Sequence, residues 1–597
     1  MKGKSIKVLS VLLCLAMIVG LVGCSQPSTN QVDAIYKAGT YIGTAQGHNG
    51  DVKVEVEFSD TAIVSVKIVE HSESEGISDV SIERIPQEVV DGQTLAVDSV
   101  SGATVTSKAI LAAIEDAVKQ AGGDVEALKG NKVSNNSGQN AIEMTTDVVV
   151  VGAGGAGLAA AASAHEHGAK VIVLEKQANV GGSTALSGGG ISATGTRFQE
   201  ERGIKDSKQS WMDLWKERQA TSNPDGKYPD YNFVDKFMDA AVVTTEWLVD
   251  YIGHAYGSIA GFGLDPVERL HFSETDGSTN GGTALTRNIE NFILGEGIEI
   301  LTETPAKELM TDENGNVIGV IAEGKNGKVT IHAKKVVLAA GGYAKSEELL
   351  ERFIPEAAGT ADISAAAAGS TGDGIIMAEE IGAALYEEPW VIGLGVGTKV
   401  PGTEGLMMDW TKVYVNEKGQ RFTNEEIHYS IATNKILEQE SPWVILDSND
   451  ANANIAGALE DAIASDEVVK ADTFEALAEA MGVPVDAFVK TMEAFNEGVK
   501  TGNDPMGKSK DYLVPVNNAP YYAIKLYGKT MGTFAGVKTN ETYQVLREDG
   551  SVINNLYAAG ENANKVLYNQ VYMSGSAVQF ALTSGRIAGE HAAQNLK

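Results

Sequence analysis

The segment Asp147–Glu175, DVVVVGAGGAGLAAAASAHEHGAKVIVLE, restricts the possible folds of this chain more than any other stretch. Val148 to Val151 is an unbroken β-branched run, the pattern of a parallel strand buried on both faces. Gly152, Gly154 and Gly157 follow at once as G-x-G-x-x-G, and an alanine-rich helix is predicted from there to His167. Val171–Leu174 is a second buried strand that ends on Glu175. In such a βαβ unit Gly152 permits the tight turn, Gly154 lets a pyrophosphate approach the backbone, and Gly157 lets helix and strand pack closely. Phosphates would sit on the helix N-terminus, where free N–H groups and the dipole favour negative charge. Glu175 is placed to accept hydrogen bonds from ribose hydroxyls. A membrane helix and a glycine-rich core strand are the competing readings, and glycines inside the run and a charged, His-containing helix end argue against the membrane helix. The unit predicts dinucleotide binding.

At 597 residues the chain needs more than one domain. Residues 1–23 read as a signal peptide: Lys2, Lys4 and Lys7 precede the apolar run Val8–Val22, too short to span a bilayer comfortably. Leu21-Val-Gly-Cys24 resembles a bacterial lipoprotein cleavage box. Cys24 would then be the lipidated first residue, 24–34 a polar tether, and the protein lipid-anchored on the extracytoplasmic face of the cell membrane. Cys14 leaves with the signal, so the mature chain holds one cysteine and can form no internal disulfide or cysteine-ligated cluster. The nine histidines are scattered, and no metal site is expected. A net charge of −33 argues against nucleic acid as a partner.

Residues 35–125 read as a small α+β unit, with alternating strands Val52–Phe58 and Ile63–Val69. Asp98-Ser-Val-Ser101-Gly102-Ala103-Thr104 then leads into an apolar-periodic helix, Ala109 to Ala121. Hydroxyls at a helix start can be simple caps. The segment also matches D-x-x-[ST]-G-A-T at every position and so resembles the FMN-binding domain of flavin-carrying redox proteins. The resemblance makes Thr104 the residue esterified to FMN by a flavin transferase, with Ser101, Gly102 and Ala103 around it. Residues 126–145 read as a polar linker.

Further glycine loops follow at Gly181–Gly190, Lys335–Gly342, Gly369–Gly374, Gly560-Glu561 and Gly575, the last opening a helix. Together they resemble the flavoprotein subunit of the fumarate reductase and succinate dehydrogenase superfamily, nearest its exported branch of fumarate and urocanate reductases. The resemblance covers nearly the whole mature chain. It implies an α/β architecture: a Rossmann-like FAD domain, 146–387 and 531–597, with an α+β clamp (capping) domain, 388–530, inserted between its halves. The FMN-binding domain precedes it. Expected FAD contacts are Gly152, Gly154, Gly157, Glu175, Gly182, Ser183, Gly189, Asp373, Glu561, Ala577 and Val578. No histidine stands in Gly181–Gly190, where membrane relatives tether FAD, so this FAD is expected to be non-covalent.

The resemblance implies an oxidoreductase acting on CH–CH groups. Electrons would come from a membrane or extracytoplasmic donor to FMN, pass to FAD, and reach an activated C=C bond as hydride plus a proton from an acid opposite the flavin. In fumarate-reducing members that acid is an arginine, five residues after the Asn of N-E; here the position holds Tyr429. The two groups that feed it become Gly405 and Met408, the histidine before T-M-G becomes Lys529, a second histidine falls near Ile392, and the carboxylate-gripping arginine becomes Tyr572. A dicarboxylate would leave buried charges unpaired, at a cost of several kcal/mol. Tyr429, Tyr572, Trp390, Met407, Met408 and Trp410 stand in place of those polar groups, a neutral and aromatic set. It resembles 3-ketosteroid dehydrogenases, in which a tyrosine and a backbone N–H a few residues on grip the ketone and another tyrosine moves the α-proton. Tyr572 with Ser576 is the expected grip, Tyr429 the expected acid, and a neutral enone such as a 3-ketosteroid the expected substrate. Trp390, Met407 and Trp410 can equally be clamp core. Two alternatives stay open: an unsaturated carboxylate used as respiratory electron acceptor, and an electron-transfer flavolipoprotein without a small substrate.

Overall fold

The structure is a computed structural model that describes residues 34–130, 141–277, 279–325, 327–449 and 455–596. The expected signal peptide and Cys24 lie outside the described residues. The chain divides into two compact units, the first comprising residues up to Glu73, Ser81–Ser99 and Val105–Ser134, the second the remainder. Among the described residues no helix is long and apolar enough to cross a membrane.

The first unit holds an antiparallel three-stranded sheet, Gly39–Gln46, Asp51–Phe58 and Ile63–Glu70. Val52, Val54, Val56 and Phe58 alternate with polar residues and point into the core, the period-2 pattern of a sheet covered on one face. Helix Thr104–Gln120 buries Ile110, Ala113, Ile114, Ala117 and Val118. Strand and helix come so close at Gly43 that a Cβ there would stand 1.9 Å from the Ala113 carbonyl oxygen. Thr104 is the exposed first residue of that helix. The expected linker is shorter than 126–145, since Val125–Gly130 is helical and a strand already begins at Ile142.

The second unit is built on an eight-stranded sheet. Ile142–Val151 lies at its centre, parallel to Gly327–Leu338 on one side and Val171–Leu174 on the other, with Val552–Ala558 beyond Gly327–Leu338. Successive valines of the central strand face opposite ways: Val148 and Val150 join the core under the helices, Val149 and Val151 the core on the other face. Both faces are covered, as the unbroken apolar run requires. Helix Gly155–Glu166 packs on helix Ser576–Gln594, where Gly585 and Gly589 lie against the carbonyls of Ala156 and Ala160; a Cβ there would come within 2.1 and 2.2 Å of them. The two glycines let the helices touch backbone to backbone.

The inserted clamp region carries a four-stranded sheet ordered Val413–Val415, Trp443–Leu446, Tyr521–Lys525, Val468–Ala471. Strand Tyr527–Phe534 pairs with Trp390–Gly397 and runs continuously through the expected boundary at 530. Arg421 is bound by Glu425 at 2.6 Å and Asp504 at 2.5 Å, and Lys508 bonds Glu425 at 2.9 Å, with all four side chains almost wholly covered. Opposite charges satisfy one another there, as burial demands, and they fix the turn that delivers Tyr429 to the start of helix Tyr429–Leu437.

Candidate active site

A cavity of about 410 Å³ opens along the carboxyl ends of the parallel strands, at the size of a small-molecule site. One end is nearly all backbone. Gly152 has φ +103, and a Cβ on it would meet the Ala339 carbonyl at 2.4 Å; a Cβ on Gly157 would stand 1.8 Å from the Gly152 oxygen. A Cβ on Gly154 would meet nothing nearer than 3.8 Å, because that position faces open space between the loops. A side chain at Gly154 would therefore fill room that a pyrophosphate needs. The Glu175 carboxylate accepts from the N–H of Ala153 at 2.8 Å and of Gln177 at 2.7 Å. Burial pushes its pKa up, and those two amides oppose the rise. Lys176 bonds Asp373 at 2.7 Å. Glu561, half-buried at the cavity, accepts from the Thr533 N–H at 2.9 Å, and desolvation pushes its pKa up to about 7. The donors, the bare cradle and the acid fit an FAD.

Gly152, Gly154, Glu175, Gly182, Ser183, Gly189, Asp373, Glu561, Ala577 and Val578 all line the cavity. Gly157 does not; it sits beneath the loop in the packing role that its missing Cβ allows.

The other end is apolar and aromatic, walled by Phe262, Phe272, Ile392, Leu394, Met408 and Met531 around Tyr429 and Tyr572. The two tyrosine rings lie 6.2 Å apart, and the Tyr572 N–H donates to Ser430 Oγ at 3.0 Å, tying the clamp helix to the FAD domain. The Tyr429 hydroxyl lies 2.9 Å from Ser574 Oγ. Its ring stacks on His428 at 4.1 Å, and burial drives the His428 pKa down to about 3, so that imidazole is neutral. Burial pushes the Tyr429 pKa well above its ordinary value and the Tyr572 pKa up to about 12. The backbone amides of Ala577 and Gly575, around the start of helix Ser576–Gln594, oppose the rise at Tyr572.

Two expected residues are placed elsewhere. Ser576 is wholly buried; its Oγ bonds Met573 O at 2.5 Å and Tyr568 Oη at 2.7 Å, and its N–H is spent on Met573 O. It does not line the cavity, whereas Gly575 and Ala577 on either side of it do. Lys529 is half-buried outside the cavity lining, where its charge acts on Lys345. Trp390 donates to Asn434 at 2.8 Å and Trp410 packs on Tyr512, so both belong to the clamp rather than the cavity. Phe262 and Phe272 come from a hairpin, Tyr256–Phe262 and Asp265–Ser273, that no flavin motif marks in the sequence. Ser574 was legible only as a polar residue two positions after Tyr572.

Residues 147–577 match the family model described as FAD binding domain, and 47–119 match the FMN-binding domain. The first match spans most of the chain. This chain belongs to the FAD binding domain family. Within that family it is similar to NADH:acrylate oxidoreductase of Vibrio harveyi, 31% identical over 93% of this chain and 61% of the relative. The chain therefore spans under two thirds of that relative's length. It is 29% identical to the urocanate reductase of Eggerthella lenta over 96% of each chain. Among solved structures it resembles the 3-ketosteroid-Δ4-(5α)-dehydrogenase of Rhodococcus jostii in complex with 4-androstene-3,17-dione. The two are 27% identical with a TM-score of 0.59, over 75% of this chain and 97% of that one. The chain thus carries both an FAD binding domain and an FMN-binding domain.

Proposed function

We propose that the protein reduces an activated C=C bond conjugated to an uncharged carbonyl, an enone of the 3-ketosteroid kind. The observation that carries this reading is the chemistry of the cavity. Among the described residues its charged lining is Glu175, Lys176, Asp373 and Glu561, all on the flavin-binding loops, and Lys176 is already paired with Asp373. Around Tyr429 and Tyr572 the lining is neutral. FAD, when bound, supplies the two-electron reducing equivalent. Tyr572 donates to the carbonyl oxygen and stabilises the charge that grows there as the enolate forms. Tyr429 delivers the proton to the α-carbon. The hydrophobic wall excludes water and holds the apolar body of the substrate.

Electrons in this reading enter through FMN on Thr104. An exposed hydroxyl at the first position of a helix is accessible to a transferase, and the free N–H groups there favour a phosphate. Cys24 as lipid anchor would keep the enzyme at the membrane beside its donor. Cys24→Ser should move the protein from the membrane fraction to the soluble one.

A second reading, reduction of an unsaturated carboxylate, is favoured by one observation. The charge of Arg218 reaches Tyr429 and His428. Arg218 lies outside the cavity lining, however, and its guanidinium donates to Leu264 O at 3.4 Å. The experiment that separates the readings is a comparison of neutral enones with acrylate, urocanate and fumarate as oxidants of the reduced enzyme.

A further inference from the structure

Two short segments that fall in sequence among residues of the first unit, Ser74–Val80 and Val100–Thr104, belong to the second. Both rest on residues that adjoin the flavin-binding loops. In the earlier segment Glu75 accepts from Arg287 Nη1 at 2.7 Å and from Thr279 Oγ1 at 2.5 Å. Asp79 accepts from Arg287 Nη2 at 3.3 Å, so one guanidinium holds two carboxylates. Between them Gly76 turns with φ +82, and a Cβ there would stand 2.6 Å from the Thr283 methyl. The backbone therefore lies directly on helix Gly281–Gly295, which carries Thr283 and Arg287. That helix begins against the loop Gly181–Gly190: the Gly282 N–H donates to Ser187 O at 3.1 Å, and a Cβ on Gly282 would meet the Thr184 carbonyl at 2.1 Å. Gln177, Ala178 and Asn179 touch both segments. Asn179 Nδ2 donates to Ile77 O at 2.6 Å, Ser101 Oγ donates to Gln177 Oε1 at 3.2 Å, and the Ala178 N–H donates to Ser101 O at 3.4 Å. The Gln177 N–H donates in turn to Glu175, which lines the flavin cavity. One residue thus joins the FAD site to the loop that ends on Thr104.

We propose that Arg287 is a positioning residue that seats the Thr104 loop beside the FAD site, so that electrons are handed over within one chain; this rests on the reading of Thr104 as the FMN attachment. In that handover the flavin on Thr104 is oxidised and FAD is reduced by the same two electrons, with protons exchanged with solvent. Arg287 changes no bond; it sets where the loop sits. In a chain of net charge −33 an acidic segment such as Glu75–Asp79 is repelled unless a cation meets it. The Arg287 pairs are part-exposed, so each is weak alone and is screened by salt. The seat is therefore one that opens as ionic strength rises.

The test uses the full chain loaded with both flavins. Hydrogen exchange read by mass spectrometry follows the seat without turnover. In Arg287→Glu the peptide containing Ala178 should exchange about tenfold faster, with FAD content as in wild type. Adding Glu75→Arg to Arg287→Glu should recover part of the protection, and salt should speed exchange in wild type. Enzyme reduced at both flavins is then mixed with whichever of 4-androstene-3,17-dione, acrylate, urocanate and fumarate oxidises it fastest. Flavin absorbance should show a fast phase from FAD and a slower one fed from Thr104. Arg287→Glu should leave the first phase unchanged and slow the second several-fold; Thr104→Ala should lack the second. Unchanged exchange in Arg287→Glu, or a second phase as fast as in wild type, would overturn the seat. If wild type and Thr104→Ala show the same single phase, the reading of Thr104 fails, and the exchange result alone decides whether Arg287 holds the loop.

Discussion

Tyr429 from the clamp and Tyr572 from the FAD domain meet across the cavity with ring centroids 6.2 Å apart and planes tilted by 55°. Neither chain segment makes the site alone, so the proposed acid and the proposed carbonyl donor come together only when the clamp lies on the FAD domain. Tyr429→Phe keeps the ring that packs on His428 and Phe262 and removes the hydroxyl with its bond to Ser574. Turnover with an enone should fall by about 10²–10⁴ while FAD content and reduction by dithionite stay as in wild type. Stopped-flow flavin reoxidation measures it.

Tyr572→Phe removes a donor whose interaction strengthens as charge grows on the carbonyl. The expected loss in kcat is about 10²–10³, with a raised KM because the ground-state hydrogen bond also goes. Steady-state kinetics separates the two parameters. A rise in KM with kcat unchanged would mean that Tyr572 binds substrate without stabilising the transition state.

Thr104→Ala should remove one FMN mass per chain, read by intact-protein mass spectrometry after export with a flavin transferase. FAD should remain, and enone reduction by artificial donors that reach FAD should persist. Retention of the FMN mass would place the attachment elsewhere.

Glu561 makes stability depend on pH. In the fold its carboxyl keeps its proton up to about pH 7, against an ordinary value of 4.5. Between those values the folded state holds the proton and the unfolded state does not, so stability is full below 4.5 and is lost as pH rises through 7. The loss is on the order of 3 kcal/mol. Melting temperatures of flavin-depleted protein should fall across that window in wild type and stay flatter in Glu561→Gln.

The βαβ unit was legible because several independent signals coincide in one stretch: a β-branched strand, three spaced glycines, a helix and a terminal acid. Three of its four expected FAD contacts, Gly152, Gly154 and Glu175, line the cavity, as do the seven contacts on later loops that the family resemblance implied. Gly157 shows the limit of such reading, since a motif position can serve packing rather than contact. Ser576 was misplaced because counting along a helix start cannot tell which N–H groups are already spent; here the Met573 carbonyl takes that one. The Phe262–Phe272 hairpin carries ordinary alternation and reaches the cavity only through tertiary packing. Ser574 gains meaning only beside Tyr429, 145 positions away.

The most direct test of the substrate class is a comparison of reoxidation rates of the reduced enzyme by neutral enones, 4-androstene-3,17-dione among them, and by acrylate, urocanate and fumarate. A neutral lining around Tyr429 and Tyr572 leaves a carboxylate unpaired, so kcat/KM for the best enone should exceed that for every carboxylate. Faster reduction of any of the three acids than of every neutral enone would contradict it.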